Sequence, residues 1–196
     1  MSFRIEDIKK HKVVEGGKYL FDANIWLAIL DTNFSKSYMP PYEALFEDII
    51  THKTVKSAKV VMPSLLLSEI LNRYMNDIFY KEFCKLNPVS TGMTKHEHYK
   101  HVYRTSPVYS QDLAMACSGI RTFSANNGLS FLSDNLDNFT FKQLTKNIPV
   151  FLDINDHLYA QIAKAQGLII VTNDGDFRVE DVTVVTGNPA LLKLKT

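Results

Sequence analysis

The sequence has 196 residues, of which 45% are hydrophobic and 22% charged, and this predicts a single globular domain spanning residues 1–196. Its 22 Lys and Arg residues nearly balance its 21 Asp and Glu residues, so the formal charge is +1 and a polyanionic partner would have to bind at a local basic patch. The two cysteines, Cys84 and Cys117, form no CxxC motif, which excludes a disulfide framework and a cysteine zinc cluster.

The N-terminal segment and the hydropathy of the chain bear on its location. The first residues are charged and lack a continuous apolar core, so we expect no signal peptide. No apolar run approaches the length of about 18 residues that a membrane span needs. With only two cysteines, the chain is expected to be a soluble protein of the reducing cytoplasm, without a membrane partner.

In the N-terminal half, two short apolar runs are each followed by a helical pattern. Asn24 suits the N-cap of the first helix, because its side-chain oxygen can accept from the free amides of the next turn. Pro63 fits the first turn of a later helix, where its missing N–H costs nothing. The predicted elements are a strand over 18–21, helices over 25–30 and 42–52, a strand over 59–62 and a helix over 64–86.

The C-terminal half is less regular until its last third. The polar segment 87–106 is rich in His and Lys and predicts either a long loop or a helical excursion. Further predicted elements are helices over 110–126, 134–146 and 156–166, a strand or turn over 148–152, and strands over 168–171 and 182–185. Gly167 is expected to end the last helix. Short apolar strands that alternate with helices predict an α/β fold with a parallel sheet covered on both faces.

Acidic residues follow the predicted strands. Asp22 comes directly after the first strand, and Asp174 and Asp176 follow the strand over 168–171. Asp156 opens the helix that precedes that strand, and Glu69 lies among leucines, where an ionised carboxylate is costly unless it is paired. Because the functional crevice of an open parallel sheet lies beyond the carboxyl ends of its strands, these acids are expected to converge there.

Converging carboxylates repel one another, and no Lys or Arg at a strand end is an obvious partner for them. A divalent cation would remove this conflict. A ligand set made of oxygen atoms alone suits Mg²⁺ or Mn²⁺ better than structural zinc. Since such an ion polarises a phosphoryl oxygen and activates water, the acidic edge indicates hydrolysis of a phosphodiester. Taken singly, each of the four aspartates also has an ordinary structural interpretation as a turn, cap or helix-dipole residue. For Glu69 the ordinary interpretation is a solvated helix face, which is hard to place among its leucine neighbours.

Three motifs carry a resemblance to a known family. They are YLFDANIWLAIL with Asp22 and Asn24, MPSLLLSEIL with Glu69, and DHLYAQIAKAQGLIIVTNDGDF, which runs from Asp156 to Phe177. In these blocks the chain resembles the PIN-domain ribonucleases, a family that includes the VapC-type toxins of bacterial toxin–antitoxin pairs. The third block is the most specific, because an acid, an Ala-rich helix, a glycine, a buried strand and T-x-D-x-D-F follow in step.

The resemblance implies a three-layer α/β/α sandwich with a central parallel sheet. It also implies a Mg²⁺ or Mn²⁺ site formed by Asp22, Glu69, Asp156 and Asp174. Asp176 would be an accessory acid, Asn24 a supporting residue, and the Thr172 hydroxyl would hold a water or a carboxylate. The expected activity is that of an endoribonuclease. A homodimer and an antitoxin partner are expected as well.

The basic stretch around His98 leaves three alternatives open. His98 and His101 would share a helical face and could bind zinc. Lys95, Lys100 and Arg104 could instead form a positive edge that contacts RNA phosphates, or the stretch could be a solvated loop. It belongs to a helical or loop elaboration around 74–134, which is longer than expected for the small toxins. An RNA-processing nuclease and a catalytically silent RNA- or protein-binding module are therefore the alternatives to a toxin.

Overall fold

The structure is a computed structural model that describes residues 3–31, 36–51, 55–145 and 148–194. The chain divides into two units, which we name the sheet unit and the helical unit. The sheet unit comprises Met1–Leu66 and Asn127–Thr196, and the helical unit comprises Leu67–Asn126. The single domain predicted from length and composition remains a prediction.

The sheet unit is built on a six-stranded sheet with the order β1-β6-β5-β2-β3-β4, in which every neighbouring pair is parallel. The strands are β1 Arg4–Asp7, β2 Lys18–Phe21, β3 Lys59–Pro63, β4 Ser130–Leu132, β5 Ile169–Val171 and β6 Thr183–Thr186. The central strands are almost entirely buried, as a parallel sheet covered on both faces requires.

Helices connect the strands and fill the helical unit. They are α1 Ala23–Leu30, α2 Pro40–Ile50, α3 Ser64–Tyr74, α4 Tyr80–Leu86, α5 Lys95–His98, α6 Pro107–Asn127, α7 Phe141–Thr145, α8 Ile154–Gln166 and α9 Pro189–Leu192. Two π-helical turns, Met75–Phe79 and Tyr99–Tyr103, lie between α3 and α4 and after α5, and a 3₁₀ turn spans Leu136–Asn138. Among the described residues, no helix is long and apolar enough to cross a membrane.

The connections place helices on both faces of the sheet. The crossover with α1 and α2 runs from β2 to its neighbour β3, and the crossover with α8 runs the opposite way along the sheet, from β4 to β5. Because crossovers between parallel strands are right-handed, opposite directions put these helices on opposite faces. The predicted α/β/α fold is thereby confirmed, and the chain has the fold that its resemblance to PIN-domain proteins implied.

The predicted strands over 18–21, 59–62, 168–171 and 182–185 are confirmed to within one residue at each end. Two strands were missed, β1 and β4, and these are the two edges of the sheet. Edge strands are short and weakly patterned: β1 buries only Ile5, and β4 buries none of its three residues. The segment 148–152, for which a strand or a turn was expected, contains a turn and no strand.

Most predicted helices are present with shifted ends. The helix over 42–52 begins at Pro40 and ends at Ile50, and His52 lies outside the described residues. The helix over 110–126 begins at Pro107, a residue suited to a first helical turn. Gly167 ends α8 with a φ of +63°, a left-handed conformation in which glycine carries no Cβ penalty. The helix predicted over 134–146 is wrong as one element, because a 3₁₀ turn and the short α7 take its place.

An aromatic group lies in the core of the sheet unit. The Trp26 ring is fully buried, and its centroid lies 5.4 Å from that of Phe46 in an edge-to-face arrangement. Phe21 contacts Phe46 in the same way, also at 5.4 Å. These rings join β2, α1 and α2, so the helix that follows β2 is held in place by burial of large apolar surfaces.

Replacing Trp26 by Ala is expected to lower the free energy of unfolding by about 3–5 kcal/mol, because a fully buried indole leaves a cavity behind. Urea denaturation followed by circular dichroism measures this loss. Phe141→Ala is the control, since its ring is 83% exposed, and we expect it to change the free energy of unfolding by less than about 0.5 kcal/mol. Equal losses in the two variants would contradict the core position of Trp26.

Candidate functional site

The site is positioned by two adjacent strands whose connections leave in opposite directions. From β2 the chain passes to β3 on one side, and from β5 it passes to β6 on the other. Such a reversal opens a crevice at the carboxyl ends of the two strands. The first residues beyond those ends are Asp22 and Thr172. The Asp22 N–H donates to the Val171 carbonyl at 2.9 Å, so the ladder of β2 and β5 extends to the site itself.

Asp22 is buried, with 5% of its surface exposed, and it is the N-cap residue of α1. Its carboxylate makes no capping hydrogen bond to the helix. Instead, Oδ2 accepts from the Thr172 hydroxyl at 2.8 Å and from the Asn24 amide nitrogen at 3.3 Å. The prediction of Asn24 as N-cap is wrong, because α1 starts directly after Asp22 and takes Asn24 into its first turn, where its amide supports the carboxylate.

Thr172 links two acids through one hydroxyl. This side chain is completely buried, and its oxygen donates to Asp22 while accepting from the Asp174 N–H at 3.0 Å. Of the two expected uses of Thr172, holding a water or holding a carboxylate, the described contacts show the second. Because both the donor and the acceptor capacity of the hydroxyl are used, the Asp22 carboxylate is held in one orientation relative to the turn that carries Asp174.

The turn after β5 presents two more carboxylates. Asp174 is half-buried, and its Oδ1 accepts from the Asp176 N–H at 2.9 Å, while Asp176 itself is exposed. This is the Asx turn that the sequence allowed as an ordinary structural interpretation. Among the described residues, neither acid forms an ion pair. This turn is compatible with a role of Asp174 as a metal ligand, because the hydrogen bond from the Asp176 N–H engages only Oδ1 of the Asp174 carboxylate.

Sequence reasoning missed the residues that hold this turn. The buried Tyr42 hydroxyl donates to the Asn173 side-chain oxygen at 2.8 Å and accepts from the Gly187 N–H at 2.6 Å. Burial raises the pKa of Tyr42, so its phenol stays protonated at neutral pH. The Asn188 amide donates to the Asn173 carbonyl at 2.7 Å. The Asn188–Pro189 pair that opens α9 was a readable helix-start signal, whereas nothing in the sequence marks Tyr42.

The other two predicted ligands lie farther along the chain. Asp156 is half-buried in the first turn of α8, where its N–H donates to the Asp153 carboxylate at 2.8 Å. Glu69 is half-buried on α3 in the helical unit, and its carboxylate lies 4.0 Å from the Arg73 guanidinium, one helical turn later. The sequence argument found no cation at a strand end for Glu69, and Arg73 is a partner from its own helix. Whether these two acids act as ligands remains a prediction.

A divalent cation at the sheet edge would need several oxygen ligands close together. Among the described residues, no three His, Cys, Asp or Glu side chains are grouped as a metal site requires. The chemistry of the donors does suit Mg²⁺ or Mn²⁺, because the carboxylates of Asp22 and Asp174 and the hydroxyl of Thr172 are all hard oxygen groups. The hydrogen-bonded pair of Asp22 and Thr172 also has the supporting contacts that orient metal ligands.

The basic stretch lies in the helical unit. Lys95, Lys100 and Arg104 line one cavity of about 550 Å³. His98 is buried, 3.1 Å from the Tyr80 hydroxyl, and His101 is exposed. The described part of the chain gives the zinc alternative no group of three metal-binding side chains. Instead, His98 belongs to the aromatic packing of this unit, where its ring lies 6.0 Å from that of Phe83.

No protein-family model matches this chain, and no curated protein sequence matches it either. Among solved structures, the chain is similar to VapBC2 from Rickettsia felis bound to a DNA fragment from their promoter. That similarity has 16% sequence identity and a TM-score of 0.47, and it covers 86% of this chain and 98% of the other. The chain is also similar to PAE2754 from Pyrobaculum aerophilum, with 18% identity, a TM-score of 0.39, and coverage of 91% and 90%.

A double-mutant cycle on Thr172→Val and Asp22→Ala is expected to give a coupling energy of about 1–3 kcal/mol, because the hydroxyl bonds a buried carboxylate. Free energies of unfolding from urea denaturation of the wild type, both single variants and the double variant provide this value. Thr172→Ser is the control, since it keeps the hydroxyl and should retain the coupling. Additive losses, with a coupling near zero, would show that this hydrogen bond is not an energetic link between β2 and β5.

Proposed function

We propose that this chain is a metal-dependent endoribonuclease that hydrolyses RNA phosphodiester bonds at the carboxyl edge of its sheet. The observation that carries the proposal is a buried carboxylate, Asp22, held by the Thr172 hydroxyl at the point where the strand connections reverse. The same hydroxyl accepts from the backbone of Asp174. A buried acid fixed in this way, beside a second acid in the crevice, is suited to binding a cation rather than to stabilising the fold alone.

In this proposal Asp22, Glu69, Asp156 and Asp174 hold one or two Mg²⁺ or Mn²⁺ ions, and Asp176 assists from the turn. When bound, the metal supplies Lewis acidity toward a phosphoryl oxygen and promotes ionisation of water. The chain's own contribution is orientation. Thr172 and Asn24 fix the Asp22 carboxylate through Oδ2, and the Tyr42 hydroxyl holds the following turn by bonding Asn173.

We further propose that the nuclease is the toxin of a type II toxin–antitoxin pair and acts in the cytoplasm, as a homodimer, on cellular RNA. The three motif blocks support the toxin role. The two free cysteines, Cys84 and Cys117, support a reducing compartment. An antitoxin segment would be expected to place an Arg or Lys among the carboxylates, because charge-assisted hydrogen bonds there replace the attraction of a cation. A nuclease that processes RNA without being a toxin would use the same site.

A second candidate is a catalytically silent module that binds RNA or a protein. The observation that favours it is the lack, among the residues described, of any three acids or other metal-binding side chains grouped for a metal. The two candidates differ in one property, which is whether a divalent cation binds at Asp22 and Asp174 and supports cleavage.

We expect the purified protein to cut a labelled, structured RNA pool with Mg²⁺ or Mn²⁺ but not with EDTA. Asp22→Asn and Asp174→Asn are each expected to slow cleavage by at least about 10–100-fold, because each removes a charged metal ligand. Asp137→Asn is the matched control. Its carboxylate is exposed on the 3₁₀ turn and has no ion pair within the described chain, so its cleavage rate should equal that of the wild type.

Thermal unfolding with added Mn²⁺ accompanies this assay. Ligand binding to the folded state raises the midpoint of unfolding, and the rise should disappear in Asp22→Asn. If Mn²⁺ raises the midpoint but the RNA is not cleaved, the silent module replaces the nuclease as the proposed function. The same holds if the protein binds RNA but shows neither the rise nor the cleavage. Cleavage that persists in both site variants would contradict the assignment of the site.

A further inference from the structure

The cavity of the helical unit lies between two helical segments that each contain a π turn. In the first turn the Tyr80 N–H bonds to the Met75 carbonyl, and in the second the Arg104 N–H bonds to the Tyr99 carbonyl at 2.9 Å. Each bond spans five residues instead of four, so one extra residue is accommodated. Arg104, which follows the second turn, lines the cavity with Tyr99 and Lys100, and its guanidinium carbon lies 5.7 Å from the centroid of the Tyr109 ring. Turns of this kind are rare and are frequent at functional sites.

The cavity wall carries a strong excess of positive charge. Its cationic side chains are Lys81, Lys95, Lys100 and Arg104, and His96 lies beside them. Among the described residues that line the cavity, the acid is Asp77, and its carboxylate is already shared between Lys81 at 3.6 Å and Arg73 at 3.8 Å.

Lys95, Lys100 and Arg104 are exposed and form no ion pair within the described chain. Because the whole protein has a formal charge of only +1, this concentration of uncompensated cations in one cavity favours an anionic ligand.

The floor of the cavity is aromatic and electrically neutral. Tyr99 is half-buried, and its ring packs edge-to-face on Tyr80 at 5.0 Å. The Tyr80 hydroxyl donates to the Lys95 carbonyl at 2.9 Å, which fixes α5 against α4. Burial raises the pKa of Tyr80 to about 12 and also raises that of Tyr99, so neither phenol adds negative charge at neutral pH. Aromatic rings beside cations are the combination that binds unpaired nucleotides, by stacking and by phosphate contacts.

We infer that this cavity is a binding cleft for single-stranded RNA, in which Lys95, Lys100 and Arg104 contact phosphates and the Tyr99 ring packs against an unpaired base. Its volume of about 550 Å³ lies within the usual range for ligand sites. The preference for an unpaired polyanion comes from the cleft itself. The choice of RNA as that polyanion rests on the proposed nuclease function.

The test is fluorescence anisotropy with a labelled single-stranded oligouridylate, measured in EDTA on the 196-residue protein carrying Asp22→Asn, so that binding is separated from cleavage. The triple variant Lys95→Ala, Lys100→Ala and Arg104→Ala is expected to weaken binding at least tenfold. The slope of log affinity against log salt should fall by about 2, since a single strand releases about 0.7 counterion per phosphate contact.

The matched control removes the same charge from another exposed cluster, with Lys9→Ala, Lys10→Ala and Lys12→Ala. We expect it to change the affinity by less than about twofold. If circular dichroism shows that the triple variant folds poorly, Lys100→Glu replaces it. This single change at an exposed position should also weaken binding. A duplex RNA of the same length should bind more weakly than the single strand, because its bases cannot stack on Tyr99.

If the two triple variants weaken binding equally, a general charge effect explains the affinity and the cleft is overturned. Unchanged binding in both variants would overturn the cleft as well. Duplex RNA that binds as tightly as the single strand would overturn the stacking role. The two proposals fail separately. If the cleft variants weaken RNA binding but the wild type shows no metal-dependent cleavage, the nuclease proposal is rejected and the cleft proposal stands. If the wild type cleaves RNA but the cleft variants bind RNA normally, the cleft proposal alone is rejected.

Discussion

The parallel pairing of β2 with β5 is the constraint on which the acidic edge depends. Tyr19 pairs with Ile169 and Phe21 with Val171, so the two strands end at the same level. Asp22 and Thr172, the next residues of each strand, therefore meet although they are 150 residues apart in the chain. A slip of one residue in this register would put the Asp22 and Thr172 side chains on opposite faces of the sheet and would leave the Asp22 carboxylate buried without its donor.

A buried carboxylate in this position needs hydrogen-bond donors to offset its loss of hydration. The fold supplies direct donors to Asp22 and further hydrogen bonds that hold the neighbouring turn. The Thr172 hydroxyl and the Asn24 amide donate directly to Asp22. Behind Thr172, the turn is fastened by Tyr42 and Asn188, which bond the side chain and the carbonyl of Asn173. Because every link is a hydrogen bond of fixed direction, the positions of Asp22 and Asp174 are set by residues on α1 and α2, by the residue directly after β5 and by the N-cap residue of α9. This is the rigid support that an oxygen-ligand site requires.

The helical unit relies on a different kind of support. Its core is a group of aromatic side chains in which Tyr80, Phe83 and Tyr103 pack with centroids 4.9–5.4 Å apart. The Tyr103 hydroxyl donates to the Asp112 carboxylate at 2.6 Å, and His98 packs on the same rings. Aromatic packing leaves the long cationic side chains on the outside, since a buried Lys or Arg would need a partner for its charge. The core thus determines which side chains remain for the cleft.

The sequence by itself determined the central strands and the long helices, because the burial that produces them repeats locally with a period of two or 3.6 residues. It also placed Asp22 and Asp174 at strand ends, since both closely follow buried apolar runs.

Tertiary structure alone decided the rest. The edge strands exist through pairing with β6 and β3. Thr172 and Tyr42 became supports of the site through contacts across 150 and 131 residues. His98 was buried by rings distant in sequence, so the basic stretch became a wall of cations. No local pattern encodes which distant group will satisfy a buried polar atom, because that partner is chosen only when the strands pair and the helices pack.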